Sequence, residues 1–282
     1  MNTDRLLLCS DLDRTIIPNG SQPEHPQART YFHQLCALPD VTLVYVTGRH
    51  QQLVLEAIEQ YSLPIPDFAI TDVGTMIYQL VQGEWRELLP WQEQIAVDWQ
   101  GKSHEQLQQA LSSFSELVLQ EQSKQNNFKL SYYLPLNVER DQILKGVERI
   151  LAQMGVEASL IWSVDEQKEM GLVDVLPRNA TKLHGIEFLR QQLGYHREEL
   201  IFAGDSGNDL PVLVSPIRSI LVANADQQVK HEAQQLAKQN GCAESLYFAQ
   251  QNSFPLGGNY SAGVLQGVMY FAPEIGAELK LP

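Results

Sequence analysis

Short apolar runs rich in branched residues recur along the chain and are separated by amphipathic stretches. The runs that predict strands lie near residues 5–10, 41–46, 68–71, 200–203 and 219–223. Such runs are typical of strands buried on both faces of a parallel sheet. Between them, apolar residues at helical spacing predict helices, most clearly at Gln51–Tyr61 and at residues 226–239. This alternation predicts an α/β fold with a parallel sheet.

The middle of the chain has a different composition. Residues 92–127 are crowded with Gln, Glu and Ser. Apolar residues nevertheless recur there at helical spacing, at Leu107, Leu111, Phe114 and Val118. We therefore expect an amphipathic helix in preference to a linker or a disordered glutamine-rich segment.

Further elements are predicted after this segment. Residues 128–134 and 172–176 have the character of strands. Ile143, Val147 and Leu151 lie at helical spacing and predict a second helix. The middle of the chain therefore has the elements of a second, smaller α/β unit.

Two carboxylates follow the first predicted strand. Asp11 and Asp13 come directly after the apolar residues 6–9. Because side chains at i and i+2 of a strand share a face, both carboxylates would lie over one point at the carboxyl end of the strand, where open α/β sheets bind ligands. Bound Mg²⁺ would relieve their mutual repulsion, since it prefers hard oxygen ligands. The alternative is an Asx turn that simply leaves the strand.

Groups suited to phosphate follow two more predicted strands. After the second strand, Thr47, Gly48 and Arg49 offer a hydroxyl, an approachable backbone amide and a guanidinium. After the strand at 200–203, residues 204–209 provide two carboxylates and an amide. Both stretches predict contacts to a phosphate or a metal ion.

Lys182 begins a predicted helix that ends at Gly194. A cation at a helix N-terminus is electrostatically unfavourable unless an anion lies beside it. The alternative is a solvated surface lysine, but the three strand-end motifs favour a place for Lys182 in the same site.

In this order the four stretches resemble the motifs of the haloacid dehalogenase (HAD)-like phosphatases, which read DxDxT, a strand ending in Ser or Thr, a lysine, and GDxxND. The resemblance implies a Rossmann-like parallel-sheet core, the HAD fold, formed by residues 1–97 and 178–282. It also implies that residues 98–177 form an α/β cap, inserted between the second and third motifs, that sets substrate specificity.

Within that superfamily the chain resembles the sucrose-phosphate phosphatases. The stretches that carry this resemblance are residues 45–49, 71–78, 129–134, 173–177 and 204–209. The resemblance implies hydrolysis of a sugar phosphate, with sucrose 6-phosphate as the first candidate. Glucosylglycerol, glycosylglycerate and mannosyl-type phosphates are the alternatives. Arg14 departs from the family, which usually has Asn or Gly at this position, so its role stays open.

The same resemblance implies roles for the motif residues. Asp11 would be the nucleophile that forms an aspartyl-phosphate. Asp13 would act first as general acid and then as general base. Thr47 and Lys182 would complete the catalytic set by neutralising the transferring oxygens.

The remaining implied residues hold the metal and the substrate. The implied Mg²⁺ ligands are the Asp11 carboxylate, the Asp13 backbone carbonyl and Asp205, with Asp209 close by or acting through water. The implied substrate-binding residues are Gly48, Arg49 and Asn208 in the core and Lys129, Ser131, Tyr132 and Asp174 in the cap. For each of these cap residues, the alternative is that it is an ordinary strand residue without a part in substrate binding.

Composition narrows the class of protein. With 282 residues, 44% of them hydrophobic, the chain can bury two cores. Its cysteines, Cys9, Cys36 and Cys242, are scattered, so neither a disulfide framework nor a CxxC zinc site is expected. No leader pattern or run of ~20 apolar residues occurs in the sequence, so we expect a cytoplasmic protein.

The net charge of the chain limits the kinds of partner that we expect it to bind. The formal net charge of −14 argues against nucleic acid and anionic membranes. A small sugar phosphate is the expected partner, and a glycosyl-phosphate synthase is the candidate protein partner. Two rival functions are a signalling receiver domain, which is a single small domain without a GDxxND turn, and a catalytically silent sugar-phosphate-binding protein.

Overall fold

The computed structural model describes residues 5–165 and 168–279. They form two compact units. The first unit comprises the chain up to Glu87 and from Lys182 onward, and the second comprises Leu88–Thr181. The second unit is wider than the expected cap of residues 98–177: it starts earlier, since it includes the helix at Leu89–Ala96, and it ends later, at Thr181.

The strands, in chain order, are β1 (Leu6–Ser10), β2 (Val41–Val46), β3 (Phe68–Thr71), β4 (Met76–Val81), β5 (Glu84–Glu87), β6 (Val118–Leu119), β7 (Leu130–Pro135), β8 (Ala158–Asp165), β9 (Met170–Pro177), β10 (Leu200–Gly204), β11 (Arg218–Leu221) and β12 (Leu246–Phe248). The α-helices are α1 (Ala28–Cys36), α2 (Gln51–Tyr61), α3 (Leu89–Ala96), α4 (His104–Leu111), α5 (Arg140–Gln153), α6 (Lys182–Gln192), α7 (Leu210–Leu213), α8 (Gln227–Gln239), α9 (Ser261–Phe271) and α10 (Pro273–Ala277). Among the described residues, none of the helices combines the length and apolar character that a bilayer span requires.

The first unit is built on a sheet of strand order β12-β11-β10-β1-β2-β3-β4-β5. The strands from β12 to β3 are parallel, and β4 and β5 add an antiparallel edge. All the predicted strands of this sheet are present, α2 has its predicted bounds, and α8 begins one residue later than predicted. The α/β fold with a Rossmann-like sheet is therefore confirmed.

β1 lies inside this sheet, and every residue of the strand is buried. It pairs with β10 on one side and β2 on the other, with Cys9 opposite Phe202 and Val44. Because the three strands are parallel and in register, their carboxyl ends lie side by side. The residues that follow them therefore meet at one edge of the sheet.

Helix α9 packs tightly against β11 in the same unit. The helix is buried along most of its length, from Ser261 to Val268. A Cβ atom at Gly267 would lie 2.3 Å from Cγ1 of Ile220, a residue of β11. The close approach of helix to sheet therefore requires glycine at this position.

The second unit has an antiparallel sheet of strand order β6-β7-β9-β8. Its core joins side chains of α4, α5 and the sheet, including Leu107, Val147, Leu130 and Val173. Alternation along β7 and β9 directs these strand residues towards the helices. The predicted strands at 128–134 and 172–176 correspond to β7 and β9, and the second predicted helix corresponds to α5.

The helix predicted through Leu107, Leu111, Phe114 and Val118 is shorter in the structure. Helix α4 begins with a capping box, in which Ser103 accepts from the amide of Gln106, and it ends at Leu111. The Ser112 hydroxyl then donates to the carbonyl of Gln109, which competes with continuation of the helix. Phe114 packs on the core from outside the helix, and Val118 belongs to β6. Strand β8 was not predicted.

The contact between α9 and β11 predicts a stability effect. Gly267→Val should lower the free energy of unfolding by about 2–3 kcal/mol, because the new side chain overpacks a site already filled by Ile220. Gln234→Val, on the exposed face of α8, is the matched control and should change stability by about 0.5 kcal/mol or less. Denaturant unfolding measures both changes. Equal stability of the two variants would contradict the close contact.

Candidate active site

Asp11 and Lys182 meet at the carboxyl edge of the sheet. Asp11 directly follows β1, its amide donates to the carbonyl of Ala203 at 2.9 Å, and the residue is only 6% exposed. Lys182 is the first residue of α6, and its Nζ donates to Asp11 Oδ1 at 2.9 Å and to Asp209 Oδ1 at 2.7 Å. The two carboxylates compensate the unfavourable place of a cation at a helix N-terminus. Lys182 is thus a member of the site, not a surface lysine.

Asp209 is enclosed by the turn that follows β10. Its Oδ2 accepts from the amides of Asp205 and Ser206 at 3.0 and 3.1 Å and from the Ser206 hydroxyl at 3.1 Å. A Cβ atom at Gly204 would lie 2.6 Å from the carboxyl carbon of Asp209. Glycine at 204 therefore lets the turn close on the Asp209 side chain.

Three buried carboxylates form the strongest metal-site candidate. Asp11, Asp205 and Asp209 each offer an oxygen, and these oxygens lie within 4.8 Å of one another. Burial raises the pKa of Asp11, the charge of Lys182 opposes this shift, and Asp209 adds to it. Burial, and then the charge of Asp209, raises the pKa of Asp205 to about 7.

The three carboxylates of the cluster outnumber the ammonium of Lys182, and their burial makes the ionised forms costly unless further positive charge is present. Burial works against the charge of Lys182, but Asp11 and Asp209 outweigh it and raise the pKa of the ammonium, which therefore stays charged. A small divalent cation with oxygen ligands would supply the missing positive charge. The donor set therefore fits the Mg²⁺ that the sequence resemblance implies.

The Asp13 carboxylate was expected to lie over the same point as the Asp11 carboxylate, but it bonds elsewhere. Asp13 Oδ1 accepts from Arg49 Nη2 at 2.6 Å and from Asn19 Nδ2 at 2.7 Å, and Oδ2 accepts from Arg49 Nε at 2.8 Å. Burial alone would raise the pKa of Asp13, but the hydrogen bonds and charge of Arg49 outweigh it and hold the pKa below its usual range. The structure therefore brings the other three carboxylates together and pairs the Asp13 side chain with a cation.

The end of β2 lies on the same side of the sheet. Thr47 is buried, its amide donates to the carbonyl of Ile70, and its hydroxyl accepts from the amide of Arg49. Space is open beside Gly48, where an added Cβ atom would find its nearest neighbour, Val73 Cγ2, at 3.9 Å. A phosphate oxygen can therefore approach the backbone at Gly48.

A strained turn supports this loop. Asp72 and Val73 directly follow β3. Their φ angles are 53° and 62°, in the left-handed region that residues other than glycine rarely adopt. The amide of Asp72 donates to the carbonyl of Arg49 at 2.9 Å. Such strain is found where surrounding contacts hold a functional loop in place. Sequence reasoning gave this turn no role.

Arg14, whose role was open, contributes positive charge beside Asp205. Its Nε lies 3.3 Å from Asp205 Oδ2, and its Nη2 lies 3.1 Å from Asp226 Oδ1. The backbone of Arg14 has a φ of 56° and is held on both sides, because its amide donates to Asn19 Oδ1 and its carbonyl accepts from Asn224 Nδ2. Arg14 thus does not simply point into solvent. Of its four partner side chains, Asp205 was singled out from the sequence, whereas Asp226, Asn19 and Asn224 were not.

Asn208 and the predicted cap residues have varied surroundings. Asn208 is exposed in the turn Gly207–Asp209. In the second unit, the Ser131 hydroxyl donates to Asp174 Oδ1, and Lys129 is buried. Tyr132 lies on the opposite face of β7 from Ser131 and packs in the core with Leu130 and Leu134. The structure therefore does not bring Tyr132 together with the Ser131 and Asp174 pair.

Comparison with known proteins agrees with these motifs. A family model described as sucrose-6F-phosphate phosphohydrolase matches residues 4–272. A Nitrosococcus oceani protein described only as a HAD-like hydrolase is 45% identical over 277 residues, which are 98% of this chain and 74% of that protein. The mannosylfructose-phosphate phosphatase of Agrobacterium fabrum is 28% identical over 224 residues, which are 78% of this chain and 83% of that protein.

A solved structure shows the same fold. The X-ray structure of the sucrose-phosphatase from Synechocystis sp., in complex with sucrose and phosphate, matches with a TM-score of 0.71 and 26% identity, covering 96% of this chain and 98% of that one. Neither rival function, a receiver domain or a silent binding protein, agrees with these relatives. The chain belongs to the sucrose-phosphate phosphatase-like family of the HAD superfamily and is a phosphatase that hydrolyses phosphoric monoesters.

Proposed function

We propose that this phosphatase is Mg²⁺-dependent and hydrolyses a sugar phosphate, with sucrose 6-phosphate as the first candidate, through an aspartyl-phosphate on Asp11. The observation that carries this proposal is the arrangement around Lys182, whose ammonium binds both Asp11 and Asp209 beside a third carboxylate, Asp205. This arrangement supports the proposal, because the nucleophile, a paired cation and the metal ligands would then lie at one point.

In the first step, a carboxylate oxygen of Asp11 attacks phosphorus. A new bond forms between Asp11 and phosphorus, and the bond from phosphorus to the sugar oxygen breaks. Asp13 gives its proton to the departing sugar oxygen, which leaves as a neutral alcohol. Arg49 binds both oxygens of Asp13 and favours its ionised form, so before this transfer Arg49 must release at least one oxygen and Asp13 must take up a proton from solvent.

In the second step, water attacks the phosphorus of the aspartyl-phosphate. Asp13, now a carboxylate, takes a proton from this water, and the bond between Asp11 and phosphorus breaks. Inorganic phosphate leaves, and both residues return to their starting states. The ion pair with Arg49 favours the ionised form of Asp13 that this step requires.

Polar and positively charged groups at the strand ends would stabilise the negative charge of the transferring phosphoryl group. The Thr47 hydroxyl, the Gly48 amide, Arg49 and Lys182 would contact the phosphoryl oxygens, since stabilisation of those oxygens is the main task in phosphoryl transfer. Mg²⁺ bound at Asp11, Asp205 and Asp209 would neutralise further charge there, with the Asp13 backbone carbonyl as another ligand. Asn208 would orient this set.

Family and relatives support the choice of substrate class. The family match and the Synechocystis structure, which holds sucrose and phosphate, favour sucrose 6-phosphate. The mannosylfructose-phosphate phosphatase relative favours a different glycosyl phosphate as the second candidate. Within the second unit, Lys129, Ser131 and Asp174 stay predicted sugar ligands, and the synthase that makes the substrate stays the candidate protein partner.

The carboxylate cluster predicts metal dependence. Exhaustive treatment with a chelator should abolish phosphate release, and added Mg²⁺ should restore it, because the cluster then regains its missing positive charge. Ca²⁺ should restore it poorly, since its longer and looser coordination misplaces the reacting groups. A colorimetric assay of phosphate release measures the activity of the chelated protein and of the protein after each metal ion is added. Full activity of the chelated protein would contradict the proposal.

The substrate class predicts a ranking of esters. In a phosphate-release screen with Mg²⁺, sucrose 6-phosphate should exceed glucose 6-phosphate by about tenfold or more in kcat/KM. A preference for mannosylfructose phosphate would favour the second candidate instead. No preference for any sugar phosphate over p-nitrophenyl phosphate would contradict a sugar phosphatase.

The same screen tests a predicted sugar ligand. Asp174→Asn should raise KM for the preferred sugar phosphate much more than for p-nitrophenyl phosphate, which has no sugar to bind. Asp141→Asn, at an exposed position of α5, is the matched control. Equal losses on both esters would mean that Asp174 supports the fold and does not bind the sugar.

A further inference from the structure

Two side chains of different origin hold the carboxylate of Asp13. Arg49 comes from the end of β2 and binds both oxygens, with Nη2 at 2.6 Å from Oδ1 and Nε at 2.8 Å from Oδ2. Asn19 comes from the loop that contains Asp13 itself, and its Nδ2 donates to Oδ1 at 2.7 Å. Arg49 is also proposed to bind the phosphate. Asn19 is not, and it contacts Asp13 from within the loop that the two residues share.

The amide of Asn19 is fixed in one orientation. Its Oδ1 accepts from the backbone amide of Arg14 at 2.8 Å. Because a backbone N–H can only donate, the oxygen of the Asn19 amide must face Arg14, which turns the NH₂ group towards Asp13. The backbone amide of Asn19 donates to the carbonyl of Ile17 at 2.9 Å, so the loop also holds the main chain of Asn19.

We propose that Asn19 is a positioning residue for Asp13, which fixes Oδ1 and leaves Oδ2 as the oxygen that exchanges the proton with the leaving group. An NH₂ group that points at Oδ1 can only donate, so once Arg49 Nε releases Oδ2, Oδ1 stays an acceptor and the proton resides on Oδ2. Arg49 can turn to a phosphoryl oxygen while Asn19 still holds the carboxylate. This proposal rests on the acid role of Asp13 in the proposed function.

Leaving groups of different basicity separate this role from a structural one. An alkyl ester loses a strongly basic sugar or glycerol oxygen, which needs a proton as it departs, whereas p-nitrophenyl phosphate loses a stable phenolate that needs none. The ratio kcat/KM covers the steps up to transfer of the phosphoryl group to Asp11, so the later attack of water does not enter it. A fault in acid catalysis therefore lowers kcat/KM for alkyl esters alone.

The variant Asn19→Asp is the most specific change. It keeps an oxygen to accept from the amide of Arg14 and replaces the donor to Asp13 by a second carboxylate that repels it. With sucrose 6-phosphate and β-glycerol phosphate, kcat/KM should fall about thirtyfold, which is less than the roughly 100-fold to 10,000-fold for full loss of acid catalysis, because Asp13 itself is still present. With p-nitrophenyl phosphate it should fall less than about threefold, which also shows that the variant folds. Asn252→Asp, at an exposed loop position, should leave all three values unchanged.

The variant Asp13→Asn provides the reference, because it removes the proposed acid itself and should show the same difference between esters, but larger. If it does, and Asn19→Asp lowers kcat/KM equally for all esters or for none, Asn19 does not position Asp13 and the proposed function still stands. If Asp13→Asn shows no difference between esters, the acid role of Asp13 is wrong, and the role of Asn19 is wrong with it.

Discussion

The buried ammonium of Lys182 is the interaction on which the site depends. It joins Asp11, after β1, to Asp209, in the turn after β10, at 2.9 and 2.7 Å. A buried ion costs several kcal/mol unless it is paired, and loss of one partner from a buried pair costs about 3–5 kcal/mol. The lysine and the carboxylates therefore require one another.

The parallel register of the sheet makes this pairing available. β10, β1 and β2 are neighbours, so the residues that follow them converge although they are distant in sequence. Charges of opposite sign then alternate along this edge, where Arg14 lies beside Asp205 and Arg49 beside Asp13. All the core motif residues lie in the first unit. That unit alone thus carries the proposed phosphoryl-transfer groups.

Sequence reasoning found the strands and the motif residues because short apolar runs and polar strand ends are local signals. It misplaced the Asp13 side chain because β1 ends at Ser10, so the rule that i and i+2 share a face no longer applies. The same rule, applied to β7, would have separated Tyr132 from Ser131 in advance. Asn19 and Asn224 could not be found, since their roles come from contacts made when loops fold together.

The most direct test of the central claim is chemical trapping of the phosphorylated residue. Asp13→Asn with p-nitrophenyl phosphate should accumulate the intermediate, because the first step needs no acid with this ester and the second step lacks its base. Acid quenching followed by borohydride reduction converts an aspartyl-phosphate to homoserine, which peptide mass spectrometry locates. We expect homoserine at residue 11 in the sample with substrate and none in the sample without it. Release of p-nitrophenol with no homoserine at residue 11, or with homoserine at another carboxylate such as Asp205, would contradict the assignment of Asp11 as nucleophile.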